Sequence, residues 1–205
     1  DIDLTLYAVV DPAYLRGRSL RECVSSAIEG GVTAVQLRDK QASTRVLLEE
    51  ARVVASLARD LEVPFIVNDR VDVALAVNAD GVHLGQEDLP CSEARKLLGF
   101  RKLVGVSVRS LEEARQAQND GADYVSVGKI YPTDTKLEGE VVGLALLREM
   151  AALIQLPVVA IGGINLGNVI PVFKAGASGV AVVSGLLDTE DVKKRAKAFR
   201  KEIGR

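Results

Sequence analysis

Eight short apolar runs, each followed by a longer amphipathic stretch, occupy the chain from end to end, and a repeat of that kind folds as parallel strands joined by crossover helices. The runs are Leu4 to Val10, Ala34 to Leu37, Phe65 to Asn68, Gly81 to Leu84, Leu103 to Val106, Tyr124 to Gly128, Val158 to Ile161 and Gly179 to Val183. Helices are expected to begin near Leu20, Ser43, Val71, Cys91, Leu111, Gly143 and Asn165, with a last one from Asp188 to Ile203. In the fifth, Ser110 can cap the backbone N–H groups, Glu113 sits at the capping-box position and Gly121 can close the end. Gly30-Gly31, Gly121-Ala122 and Gly176-Ala177 suit tight turns into the following strands. No linker or change of composition divides the pairs, so a single (β/α)8 TIM barrel over residues 1–205 is predicted, with an open doubly wound sheet as its competitor.

Twenty-six basic against twenty-eight acidic side chains leave a formal charge of -2, which supplies no field to gather nucleic acid or an anionic membrane. Two cysteines, Cys23 and Cys91, are too few for a disulfide framework. With no membrane-length apolar run and no leader-like opening, the expected compartment is the cytoplasm. Homo-oligomerisation is compatible with the sequence.

A parallel barrel builds its active site at the carboxyl ends of its strands, so the residues just after each apolar run carry the chemistry. Gln36, Arg38 and Lys40 alternate by two and share a side of an extended chain, giving a bidentate fork, a point charge and a neutral amide suited to phosphate oxygens. The plainer reading is a solvated loop, or an ion pair with Asp39 or Glu87. Asp69 and Asp88 follow neighbouring strands, and Mg²⁺ prefers one or two carboxylates together with substrate phosphates. Their plainer roles are a cap for the helix at Val71 and a turn before Pro90. Gly162-Gly163 and Val183-Ser184-Gly185 end the seventh and eighth strands, where many barrels hold a phosphate on backbone N–H groups; a structural turn is the competing explanation. Thr133, Thr135 and Lys136 lie on the longest irregular stretch, Tyr131 to Val142, which is expected to be a mobile loop able to close over an anion. His83, the only histidine, is read as supporting or packing, and Cys91, near a helix start where its pKa could be lowered, as non-catalytic.

The ordered set Gln36-Leu37-Arg38-Asp39-Lys40, Asn68-Asp69-Arg70, Gly81-Val82-His83-Leu84-Gly85-Gln86-Glu87-Asp88, Pro132-Thr133-Asp134-Thr135-Lys136 and Ala160-Ile161-Gly162-Gly163-Ile164 resembles the thiamine phosphate synthases over nearly the whole chain. The resemblance implies a magnesium-dependent transferase that joins hydroxymethylpyrimidine diphosphate to hydroxyethylthiazole phosphate through a pyrimidine-methyl cation, releasing diphosphate. It implies that Gln36, Arg38, Lys40, Asn68, Ser107 and Lys136 meet the pyrimidine diphosphate. Asp69 and Asp88 would take the Mg²⁺, and Thr133, Thr135, Gly163, Val183 and Ser184 would face the thiazole phosphate. Arg38, Lys40, Ser107 and Lys136 are the residues expected to act in catalysis.

Two positions depart from the usual pattern: Arg109 stands where many relatives carry histidine, and Lys129 where proline is common. Arg109, with the Asn68-Asp69 pair kept, disfavours a thiazole tautomerase. Lys129, after the sixth strand, opens the alternative of a Schiff-base aldolase. A third alternative is a phosphate-ligand sensor that binds without turnover.

Overall fold

The computed structural model describes residues 2–135 and 139–204 and contains a closed barrel of eight parallel strands in chain order, with the eighth hydrogen-bonded back to the first. The strands are β1 (Leu6–Val10), β2 (Ala34–Leu37), β3 (Phe65–Asn68), β4 (Gly81–Leu84), β5 (Leu103–Val108), β6 (Tyr124–Val127), β7 (Val158–Ile161) and β8 (Gly179–Val182). The open doubly wound sheet is thereby excluded.

Alternation along each strand separates two cores. Leu6, Ala8 and Val10 of β1, Val35 and Leu37 of β2, and Val104, Val106 and Val108 of β5 turn outward into a large aliphatic layer beneath the helices. Tyr7, Val9, Ala34, Ile66, Tyr124, Val159 and Ala181 belong to a second, smaller cluster inside the barrel. Each fully buried aliphatic side chain in the outer layer contributes about 1.5–3 kcal/mol, so the helix shell is held chiefly by apolar burial.

The shell comprises α1 (Leu20–Glu29), α2 (Thr44–Asp60), α3 (Val71–Ala76), α4 (Cys91–Leu98), α5 (Leu111–Asn119), α6 (Gly143–Leu153), α7 (Val169–Lys174), α8 (Ser184–Leu187) and α9 (Val192–Ile203). Ser110 caps α5 as expected, its Oγ accepting from Glu113 N at 3.1 Å, whereas the Glu113 carboxylate accepts from Arg109 N and completes no capping box. The reciprocal box is at α1, between Ser19 and Glu22.

Two helix assignments need correction. The helix expected from Asn165 begins at Val169, because Asn165 Oδ1 accepts from Gly167 N and Asn168 Oδ1 accepts from Asn165 N, and these local bonds hold the backbone in a turn. The helix expected over Asp188 to Ile203 is divided: α8 follows β8 directly, and α9 starts after Asp191, whose side chain accepts from Lys194 N. The extra turn of α8 shapes one side of the barrel mouth.

Candidate active site

A cavity of about 370 Å³ opens among the carboxyl ends of the strands. Gln36, Arg38, Lys40, Asn68, Asp69, Asp88 and Ser107 all line it, so seven of the expected residues, drawn from four successive strand ends, meet in one place. A narrow cleft beside it is lined by Thr135, Gly162, Gly163, Val183, Ser184 and Gly185, and it shares Ile161 and Ala181 with the cavity. The two spaces therefore adjoin. Thr133 lines neither and instead braces the loop, its Oγ1 accepting from Thr135 N at 3.1 Å. Lys136 lies outside the described residues.

Arg38 leaves β2 with its N–H still bonded to Val10 O, which keeps the chain extended past Leu37. Its guanidinium forms an ion pair with Asp11 at 2.7 Å, both side chains being mostly buried, and that carboxylate, rather than Asp39 or Glu87, fixes it on the cavity wall. Lys40 Nζ stands 3.7 Å from Asp69 Oδ2. Arg38 is mostly buried, whereas Lys40 is exposed to solvent.

Asp69 occupies the left-handed region at φ 63°, a conformation costly for a residue other than glycine and found where surrounding structure imposes it. Its N–H donates to His83 O at 2.8 Å, extending the ladder between β3 and β4, and its side chain does not cap α3. Burial, then the hydrogen bond and charge of Asp88, push its carboxyl up to about 6 against the opposing pull of Lys40 and Arg38. Two adjoining carboxylates held in that condition suit a hard cation. Asp88 also serves the expected turn, since its Oδ2 accepts from Gly85 N at 2.7 Å. Among the described residues no group of three or more His, Cys, Asp or Glu side chains is arranged to hold a metal, so a cation here depends on oxygens from a ligand or water.

On the other side of the mouth no cationic side chain among the described residues lines the cleft. Gly163 adopts φ 67°, and a Cβ there would lie 2.6 Å from Pro132 O and 2.8 Å from Tyr131 Cβ, so only glycine lets the loop pass this closely. Ser184 Oγ and Thr135 Oγ1 are 2.9 Å apart, which ties the long loop to the start of α8. Glycines followed by a short extra helix after the last strand match the anion site that barrels build at this place.

The sequence reading passed over Tyr7, Tyr124 and Ser126, which line or underlie the cavity and bond to its floor. His83 is buried and bonded through both ring nitrogens, in agreement with a supporting role, and burial pushes its pKa down to about 4. Cys91 departs from expectation: burial pushes its thiol up to about 11 instead of lowering it, consistent with an unreactive group. Arg109 lines the cavity and touches the long loop, its Cδ lying 3.0 Å from the Cβ position of Gly139. After β6 the cavity is lined by Ser126 and Gly128, and Lys129 is not part of that lining.

A family profile described as thiamine monophosphate synthase matches residues 6–186. The thiamine-phosphate synthase of Chloroflexus aurantiacus is 51% identical over 200 residues, covering 97% of this chain and 92% of that protein. The solved structure of a thiamine phosphate pyrophosphorylase from Pyrococcus furiosus superposes with a TM-score of 0.89 at 44% identity, covering 98% of this chain and 96% of that one. A KDPGal structure at 19% identity and TM-score 0.75 shares the fold alone.

Proposed function

The chain belongs to the thiamine monophosphate synthase family, and we propose that its two adjoining spaces hold the two substrates of that reaction, with Asp69 and Asp88 as the residues that would hold magnesium. It is a transferase that condenses 4-amino-2-methyl-5-hydroxymethylpyrimidine diphosphate with 4-methyl-5-hydroxyethylthiazole phosphate to give thiamine phosphate and diphosphate. Carrying this reading is the adjacency of a charged cavity and a glycine-lined cleft through Ile161 and Ala181. Two heterocycles held there could meet without either phosphate group moving.

In this reading Gln36, Asn68 and Ser107 orient the pyrimidine, while Arg38, Lys40 and Lys136 meet its diphosphate. Thr135, Gly163, Val183 and Ser184 receive the thiazole phosphate, and Thr133 braces the loop that carries Thr135. Asp69 and Asp88 fit a magnesium ion on donor chemistry, two neighbouring carboxylates with room for phosphate oxygens and water. When bound there, magnesium supplies counter-charge for the leaving diphosphate.

The carbon–oxygen bond to diphosphate breaks first, leaving a pyrimidine-methyl cation that the thiazole nitrogen captures with its lone pair. No side-chain nucleophile is required, and neither is a general base: the thiazole nitrogen carries no proton to remove, and His83 is committed at both nitrogens. Arg38 and Lys40 stabilise negative charge that develops on the departing oxygen, an effect that is large because Arg38 is already fixed by Asp11 and little reorganisation is needed. The long loop, pinned by Thr135 to Ser184, keeps water from quenching the cation.

One barrel carries the whole reaction here, with no call on nucleic acid or membrane. No described helix is long and apolar enough to cross a membrane, and the two free thiols suit the reducing cytoplasm. Incubating both substrates with and without Mg²⁺ tests the proposal. Magnesium-dependent appearance of thiamine phosphate and diphosphate in equal amounts is expected; binding of both substrates with no product would favour the sensor alternative.

A further inference from the structure

Five side chains from five strands form a continuous hydrogen-bonded chain across the cavity floor. Gln36 Nε2 donates to Tyr7 Oη at 2.9 Å, Tyr7 Oη and Tyr124 Oη are 2.8 Å apart, Tyr124 Oη is 3.0 Å from His83 Nδ1, and His83 Nε2 is 2.8 Å from Ser107 Oγ. Gln36, Tyr7, Tyr124 and His83 are each at most 6% exposed, so their bonds are made to one another and not to bulk solvent. The central link is built in: a Cβ at Gly105 would collide with the Tyr124 ring, whose centroid lies 5.5 Å from that of His83 and 5.9 Å from that of Tyr7.

Such a chain has a direction. Each phenol has one proton, and burial raises both phenols well above their ordinary range, so both remain protonated. Because Tyr7 accepts from the Gln36 amide, its own proton goes to Tyr124. Tyr124 then gives its proton to His83 Nδ1, and the neutral imidazole carries its hydrogen on Nε2. That hydrogen faces Ser107 Oγ. Ser126 Oγ lies 3.3 Å from Ser107 Oγ and 3.2 Å from His83 Nε2. When the Ser126 hydroxyl donates to it as Nε2–H does, Ser107 has accepted from two partners and retains its own proton for the cavity. At the other end the Gln36 amide gives one of its two N–H groups to Tyr7, which holds Nε2 against the floor and leaves the carbonyl oxygen as the acceptor it can turn to the cavity.

We infer that Tyr7, Tyr124 and His83 are positioning residues that set a fixed polarity across the heterocycle site, acceptor at Gln36 and donor at Ser107, and so select an aminopyrimidine over the corresponding oxopyrimidine. The polarity stands on the chain alone, whereas the choice of pyrimidine rests on the functional reading above. An exocyclic amine donates to the Gln36 carbonyl and a ring nitrogen accepts from Ser107. Replacing the amine by a carbonyl sets two acceptors against each other at Gln36, and a buried polar group left unpaired in a site built for hydrogen bonding is a strong source of discrimination.

The first test reads the polarity without any substrate. Because the chain has a single histidine, untagged protein grown with ¹⁵N-histidine gives one imidazole, expected to show a pyridine-type Nδ1 and a pyrrole-type Nε2; the opposite tautomer overturns the inference. A second test compares dissociation constants for the 4-amino and 4-oxo pyrimidine diphosphates with Mg²⁺ and no thiazole, which avoids the intrinsic difference in their reactivity. Wild-type protein should prefer the amino compound by about 100-fold. Tyr124→Phe should lose most of that preference and mix the His83 tautomers, with thiazole phosphate affinity unchanged. Tyr7→Phe should weaken the preference while keeping the tautomer, and it serves as the second probe if Tyr124→Phe fails to fold. Equal affinity of the wild type for both pyrimidines, or full preference retained in a folded variant, contradicts the inference. Selective binding of the amino compound without turnover would instead support the polarity and sink the synthase reading.

Discussion

On the β2-to-β5 side of the barrel mouth the groups facing the cavity are charged side chains, Arg38, Lys40, Asp69 and Asp88, whereas the β7–β8 side presents Gly162, Gly163, Ser184 and Gly185. On the function proposed above, the difference follows the chemistry asked of each side. A leaving diphosphate gains charge during the reaction, and fixed cations with a divalent metal respond to that change. A phosphate that merely anchors its substrate keeps constant charge, and backbone N–H groups can hold it with no cationic side chain nearby. On the proposed reading, the charged side chains among the described residues lie beside the bond that breaks.

Substitutions on the two sides should therefore fail differently. The largest loss is expected from Asp69→Ala, which should lower kcat/KM by about 100-fold or more while the fold persists, as steady-state rates and circular dichroism would show. A wild-type rate in that variant rules out the metal assignment. Gly163→Val comes next, because its Cβ would meet Pro132 O and the Tyr131 backbone and φ 67° is itself unfavourable for valine. Its KM for the thiazole phosphate should rise by about 10-fold or more, with the pyrimidine KM little changed; equal loss for both substrates would erase the contrast between the sides.

Acid should affect the charged side first. The free-state pKa of Asp69 is raised to about 6, so protons compete with the metal below that value. The rise in Tm produced by Mg²⁺ should be full near pH 8 and shrink as pH falls through about 6, as thermal unfolding would record. Without metal the sign is opposite: a carboxyl whose folded pKa exceeds its unfolded value contributes stability at low pH that is lost as pH rises from about 4 through 6. Asp69→Asn should flatten both trends. The smallest effect is expected from Ser184→Ala, which removes one hydroxyl and its bond to Thr135 and should raise the thiazole phosphate KM by roughly 10-fold or less.

The strands were legible because both their outward and their inward faces are largely apolar, which gives short continuous apolar runs, and the site because residues just past a barrel strand face its mouth. Gln36, Asn68, Asp69 and Ser107 could thus be assembled from sequence before any contact was known. The Asp11 partner of Arg38 is not legible, since Asp39 and Glu87 look nearest in sequence while the pairing of Val10 with Leu37 sets Asp11 beside it. Tyr7 and Tyr124 lie inside apolar runs and read there as ordinary core; only the register that pairs Gly105 with Tyr124 reveals a polar floor. Four-residue α8 is too short for any periodic signal, and the start of α7 was hidden by asparagine turns that compete with the helix.

Calorimetric binding of each substrate alone, with and without Mg²⁺, tests the division between the two sides most directly. Pyrimidine diphosphate should bind tightly only when Mg²⁺ is present, and thiazole phosphate should bind equally well in its absence. Thiazole phosphate binding that requires the metal, or pyrimidine diphosphate binding that ignores it, would contradict the division.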